Sequence, residues 1–370
     1  MASEHHARTL CWSAGGVAPM RFSKLRQVLS DRVCIRHSPD IPEILVRFAP
    51  TALLAVIALS LAGCASSPQP TTTDAADTQP VTIDNCGTAV EVPASAPQRI
   101  VTIKSTSTEL LLALGLGDRI VGSAFQDGPV PAEYAADAAN IPVISDFAPS
   151  QEAVLDLDPD FVFAGWESML TPEAAGDRAT LNGLGVGSYV APSACKEPGY
   201  QPTKLSFDGV FAAISEAGQL FGASDAAAAL VADQTAALAS VTPDNRGLTA
   251  LWYSSGDDTP YVGAGIGAPQ MMMEQVGLTN IAADIVDTWA SLGWESIVEA
   301  DPDVIVLVDA SWNSASTKIA ALEANPATAN LSAVRNQRYL TIPFAAGEAG
   351  VRNVAAAADL KAQLEALTFG

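Results

Sequence analysis

The chain has 370 residues, is 49% hydrophobic, and carries a formal net charge of −22. That length admits two domains of ordinary size with accessory segments, and the apolar fraction is enough for a substantial core. So acidic a surface repels phosphate backbones and excludes nucleic acid as a partner. All three histidines (His5, His6 and His37) precede residue 64. If that segment is removed, no histidine remains for a Ser-His-Asp or Cys-His centre, a His-ligated zinc or a His-ligated haem.

In chain order, residues 1–47 are an N-terminal extension to which no fold is assigned; Met20 or a codon near Val46 would serve as a translation start as well as Met1. Residues 48–63 are apolar, follow Arg47, and are shorter than the roughly 20 residues that span a bilayer. They read as a signal peptide. The stretch ends in Leu61-Ala62-Gly63-Cys64, which matches the bacterial lipobox, so Cys64 is the expected lipidation site. Residues 64–84 then form a flexible tether, poor in large apolar residues. Only two further cysteines follow, Cys86 and Cys195. In an exported protein they are a disulfide candidate, with two buried thiols as the alternative.

Strand and helix signals alternate from there. Strands are predicted at 99–103, 120–124, 142–145, 161–165 and 188–192, and a helix at 107–115. Residues 85–206 therefore make one lobe with a mainly parallel sheet covered by helices. Residues 207–223 carry a helical stripe (Phe211, Ile214, Leu220) ending at Gly222, and form the connecting helix. Residues 224–370 make a second lobe: a helix at 224–240, strands at 248–255, 260–263 and 338–344, a helix near 269–276 and a terminal helix at 351–366.

One phrase is written twice. EAVLDLDPDFVF (152–163) and ESIVEADPDVIV (295–306) each place a glutamate seven residues before the proline of Asp-Pro-Asp. The proline stops a short helix, and the apolar run after it reads as a strand covered on both faces. The two copies predict two similar Rossmann-like α/β lobes, joined by a single long helix, with a ligand cleft between them. Asp156, Asp158 and Asp160 alternate like calcium ligands, but no glycine or distal glutamate completes such a loop. They read as turn and cap residues. No metal site and no cofactor are expected.

Ligands of doubly wound sheets bind beyond the carboxyl ends of the strands. Lys104, Ser105, Thr106 and Ser107 stand between a strand and a helix, where hydroxyls, free amides and a lysine suit an anionic group. Thr106 or Ser107 alone serves equally well as a helix cap. Phe125, Trp166, Trp252, Tyr253, Trp289, Trp294 and Trp312 supply flat rings near strand ends, suited to a conjugated or apolar ligand. Any one of them also serves as packing. Arg352, at the start of the last helix, is a second candidate cation for the ligand, or a surface arginine.

The segments RIVTIKSTSTELLLALGLGDRIVG (99–122), PSQEAVLDLDPDFVF (149–163) and GWESIVEADPDVIVL (293–307) resemble the helical-backbone class of substrate-binding proteins of ABC importers. That class handles iron-siderophores, haem and cobalamin. The resemblance covers about 85–368 and implies a non-enzymatic, monomeric protein, held to the membrane by a lipid on the extracytoplasmic side. In that family the repeated glutamates, here Glu152 and Glu295, dock into basic pockets of the permease that works with an ATPase. The local alternative is a solvated carboxylate at a helix N-terminus. IKSTSTELLLALG, AFQDGPVP, SACKEPGYQP and LWYSSGDDTPYVGAGIGAPQ are similar to a narrower actinobacterial subgroup, proposed to bind a precursor of the deazaflavin coenzyme F-420. Ferric siderophores and cobalamin are the alternative ligands. A reading from another class is an extracytoplasmic hydrolase working through carboxylates.

Overall fold

The computed structural model describes residues 81–369. The extension, the signal peptide and Cys64 lie outside those residues. Strands β1 (Thr82–Asn85) and β2 (Thr88–Glu91) form an antiparallel hairpin that turns at Cys86-Gly87, where both residues have positive φ. The first strand thus begins inside the stretch expected to be tether. With one buried apolar residue per strand, Ile83 and Val90, the hairpin leaves almost no pattern in the sequence.

The first lobe runs β3 (Ile100–Ile103), α1 (Ser105–Ala113), β4 (Ile120–Ala124), α2 (Ala135–Ala138), β5 (Val143–Ser145), α3 (Gln151–Leu155), β6 (Phe161–Ala164), α4 (Arg178–Gly183) and β7 (Gly187–Val190). Its sheet has the order β5-β4-β3-β6-β7 and is parallel throughout. Every residue of β3 and β6 is buried, the state their unalternating apolar runs require.

The connecting helix α5 (Phe207–Leu220) begins against the second lobe and ends against the first. At its start the Leu205 amide donates to the Ile266 carbonyl (2.8 Å) and Lys204 pairs with Glu274 (2.6 Å). At its end Arg119 donates to the Phe221 carbonyl (2.9 Å), and the Phe221 ring lies 5.3 Å from that of Phe161 and 5.6 Å from that of Phe163. The chain reverses at Gly222, whose φ of 68° suits glycine, into α6 (Ser224–Leu238).

The second lobe runs β8 (Thr249–Ser255), β9 (Tyr261–Gly263), α7 (Ala268–Val276), β10 (Thr279–Asn280), β11 (Trp289–Ser291), α8 (Trp294–Ala300), β12 (Val304–Asp309), α9 (Ala315–Ala324), α10 (Ser332–Arg335), β13 (Tyr339–Pro343) and α11 (Asn353–Ala366). Its sheet has the order β11-β9-β8-β12-β13, with β10 also paired to β8. Strands β10, β8, β12 and β13 are parallel, whereas β9 is antiparallel to both β8 and β11. This sheet is mixed, where a mainly parallel one was expected. The short loop 256–260 lets β9 fold straight back on β8 as a hairpin, and no crossover helix is needed.

The repeated phrase has the same structural job in each lobe. Val154 and Ile297 are the fully buried residues of α3 and α8. The first aspartate of each Asp-Pro-Asp, Asp158 and Asp301, takes positive φ, 45° and 41°. The second pins the neighbouring strand: Asp160 accepts from the Gln98 and Arg99 amides (2.7 and 2.9 Å), and Asp303 accepts from the Thr249 amide and hydroxyl (2.9 and 3.0 Å). Each copy therefore registers its own strand, β6 or β12, against the first sheet strand of its lobe, β3 or β8.

Cys86 and Cys195 are joined by a disulfide, with Cα atoms 5.2 Å apart. Asn85 adds reciprocal hydrogen bonds to Val190 at the end of β7, and Arg178 donates to the Asn85 carbonyl (2.7 Å). The N-terminal hairpin is thereby fixed to the first lobe at the carboxyl end of its sheet.

Candidate functional site

A cavity of about 490 Å³ lies between the lobes. The first lobe contributes Thr106, Trp166, Glu167, Ser193 and Lys196; the second contributes Ser254, Tyr261, Trp289, Trp312, Phe344 and Glu348. Five of its lining side chains are aromatic, Trp166, Tyr261, Trp289, Trp312 and Phe344, set among hydroxyl and charged groups. The Tyr261 and Trp289 rings are stacked, 6.0 Å apart at 14°, and Trp312 meets Phe344 edge-on at 5.9 Å. Trp312 is 62% exposed, so a ligand could cover much of its ring. Such walls suit a flat apolar body oriented by a few polar groups. Beneath the start of α5 a smaller apolar pocket of about 200 Å³ shares Thr106, Ser193 and Leu205 with the main one.

Four of the predicted ligand residues line the main cavity: Thr106, Trp166, Trp289 and Trp312. The others are placed elsewhere. Lys104, expected to meet an anion, is fully buried and paired with Asp127. Its ammonium also stands 3.8 Å from the centre of the Trp166 ring and 4.3 Å from that of Phe125. The charge is thus taken up behind the aromatic wall by a carboxylate and two π faces. The Ser105 hydroxyl accepts from the Asp127 amide (2.8 Å), and the Ser107 hydroxyl donates back to the Ile103 carbonyl (2.8 Å). The second bond is internal to the strand-to-helix turn, and the first ties that turn to the loop after β4. Phe125 lies 5.6 Å from Trp166, ring to ring, outside the cavity lining.

Trp252 and Tyr253 lie inside β8 rather than at its end, on opposite faces, and both are buried. The Tyr253 hydroxyl donates to the Gly256 carbonyl (3.0 Å), and the Trp294 indole donates to the Asp257 carbonyl (2.8 Å) while its ring packs edge-on against Tyr253. These three are structural. Arg352 bridges the lobes. It donates through Nε to Glu109 on α1 (2.6 Å), again through its terminal nitrogen, and to the Pro129 carbonyl (2.8 Å).

Tyr261, Lys196 and Glu348 line the cavity without having been singled out by the sequence pattern. Lys196 sits at the rim, its amine 3.8 Å from Asp287 and 3.4 Å from the Thr288 hydroxyl, and its amide donates to Glu167. Glu348 receives the Trp166 indole N–H at 3.3 Å. Burial pushes its carboxyl above the usual range, against the pull of the nearby Lys104 ammonium. Glu152 and Glu295 are both exposed, each in the first turn of its short helix.

The periplasmic binding protein family matches residues 100–346. The chain belongs to that family. It is a substrate-binding protein rather than an enzyme, and the carboxylate hydrolase is set aside. A cobalamin-binding protein of Halobacterium salinarum is 31% identical over 279 residues, covering 70% of this chain and 68% of the relative. An uncharacterized ABC transporter substrate-binding lipoprotein of Bacillus subtilis is 26% identical, covering 86% and 97%. Among solved structures, a periplasmic binding protein from Veillonella parvula aligns with a TM-score of 0.69 at 25% identity, covering 78% of this chain and 98% of that one. An ABC-type Fe3+-hydroxamate transport protein from Saccharomonospora viridis aligns with a TM-score of 0.65 at 27% identity, covering 78% and 99%.

Proposed function

We propose that this protein is the extracytoplasmic receptor of an ABC importer, anchored through a lipid on Cys64, acting as a monomer, and delivering a flat conjugated ligand to its permease. The aromatic cavity between the lobes carries this reading: Trp166 stands on one wall and Tyr261, Trp289 and Trp312 on the other. Its volume suits a ligand of drug-like size. A deazaflavin coenzyme precursor fits those walls and agrees with the sequence phrases that resemble the subgroup linked to it. A corrinoid is the second reading, favoured by the 31% identity to the Halobacterium protein. Protein purified from its own host and analysed by native mass spectrometry and absorbance should carry a chromophore near the visible edge. Corrinoid or iron-dependent bands would replace the ligand while keeping the receptor, and repeated turnover of the bound molecule would remove both.

Glu152 and Glu295 would make the contact with the permease, one from each lobe. With either changed to glutamine, ligand affinity should stay at the wild-type value while uptake by cells falls about tenfold, the scale of one weakened charge pair at an interface. Equal loss of binding and uptake would show that the two carboxylates serve the fold instead.

A further inference from the structure

We propose that Glu348 is the polar anchor of the cavity, accepting a hydrogen bond from a ring N–H of a planar ligand that is neutral or cationic rather than anionic. This rests on the receptor reading and narrows its ligand class. Four charged side chains line the cavity: Glu167, Lys196, Asp287 and Glu348. The first three answer one another: Glu167 accepts from the Lys196 amide, the Lys196 amine faces Asp287, and Asp287 also accepts from the Thr288 amide (2.7 Å). Glu348 is different. Among the described residues its carboxylate has one donor, the Trp166 indole at 3.3 Å on Oε2, and no donor on Oε1. Lys104 would be its natural counter-ion, but that ammonium is bonded to Asp127.

An ionised carboxylate has about four acceptor positions. The Glu348 side chain is partly exposed to the cavity, so an occupant that displaces water from it must supply donors in return. The backbone aims the group as well. Asn353 is fully buried and donates to both the Ala346 and Glu348 carbonyls (3.0 and 2.8 Å), which locks the turn that carries Glu348. A planar ligand stacked on one of the cavity's aromatic rings turns its edge toward the neighbouring groups, and an edge N–H is a group that a carboxylate there can receive. With three carboxylates against one lysine, the same lining repels a second negative charge.

The test uses riboflavin and 3-methylriboflavin, tricyclic rings that differ only in the imide N–H, titrated against wild-type protein, Glu348→Gln and Glu348→Ala by quenching of tryptophan fluorescence. Wild-type protein should bind riboflavin about tenfold more tightly than its N-methyl derivative. Glu348→Ala should erase the preference, and Glu348→Gln should keep part of it, because its amide oxygen still accepts. Matching thermal unfolding curves for the three proteins will exclude a folding effect. Equal binding of both flavins by wild type, or an unchanged preference in Glu348→Ala, overturns the assignment while leaving the receptor reading intact. Wild-type protein that binds neither flavin overturns the ligand class, and material that still carries a host ligand would then show the receptor reading surviving without it.

Discussion

Replacing Cys86 and Cys195 together by alanine is expected to lower the unfolding free energy by about 4–5 kcal/mol, from the entropy of a loop on the order of 100 residues. The bridge spans 109 positions and so restrains much of the first lobe in the unfolded chain. Alanine is the right replacement, because both cysteines are buried, about 5% exposed, within an apolar cluster where a serine hydroxyl would lack a partner. The native geometry should survive, since Asn85 and Arg178 still hold the hairpin to β7 and Ser188. The site should nonetheless respond. Ala194 and Lys196 flank Cys195 and line the cavity, so a loosened wall should weaken ligand binding a few-fold. Urea unfolding of the oxidised and double-alanine proteins measures the difference. A loss under about 1 kcal/mol would mean that the hairpin, and not the covalent link, closes the loop.

The strands most readable in the sequence were those buried on both faces. β3, β6 and β12 contain no polar alternation because helices cover both sides of them, and that pattern needs no partner to be recognised. Reading the carboxyl ends of strands located Thr106 and Trp166 for the same reason. It failed where a strand ran the other way. Tyr261 opens β9, and because β9 is antiparallel to β8 its first residue pairs with Ser255 at the carboxyl end of β8. Trp252 was misplaced by two residues of strand, since the end of β8 is Ser254-Ser255, which do line the cavity. The misread charges share another cause. Lys104 looked like an anion grip because its partner, Asp127, comes from the loop after the next strand, and Arg352 looked free because Glu109 lies 243 positions away. Local spacing carries no trace of such pairs. Glu348 follows a single 3₁₀ turn, Phe344–Gly347, too short to set a periodicity.

Arg352→Ala is expected to destabilise the protein by about 3–5 kcal/mol, because it strands Glu109 as an uncompensated buried charge. The pair is well enclosed, with Arg352 16% and Glu109 2% exposed, and the Pro129 carbonyl would lose its donor as well. The size of the loss should depend on pH, and its sign follows from Glu109. Burial holds that carboxyl above its usual range, and Arg352 pulls it back. A carboxyl raised on folding contributes stability that is fully present below its unfolded pKa and lost as pH rises through the folded value. Removing the arginine raises the folded value further, so the loss continues to higher pH. The deficit of Arg352→Ala should therefore be smaller near pH 5 than near pH 7.5, and an equal deficit at both would mean that packing, not charge burial, is its source. The pair of changes Glu109→Leu and Arg352→Met should restore most of the stability, as apolar replacement of a whole buried ion pair commonly does. Apolar contacts do not fix direction, whereas a two-toothed guanidinium–carboxylate contact does. Glu109 stands on α1 in the first lobe and Arg352 at the start of α11 in the second, two residues from Gly350, where an added Cβ would lie 3.4 Å from Thr106 of the cavity wall. The doubly apolar protein should thus fold well yet hold its lobes less uniquely, and faster hydrogen exchange at the cleft edges than in wild type would register that freedom.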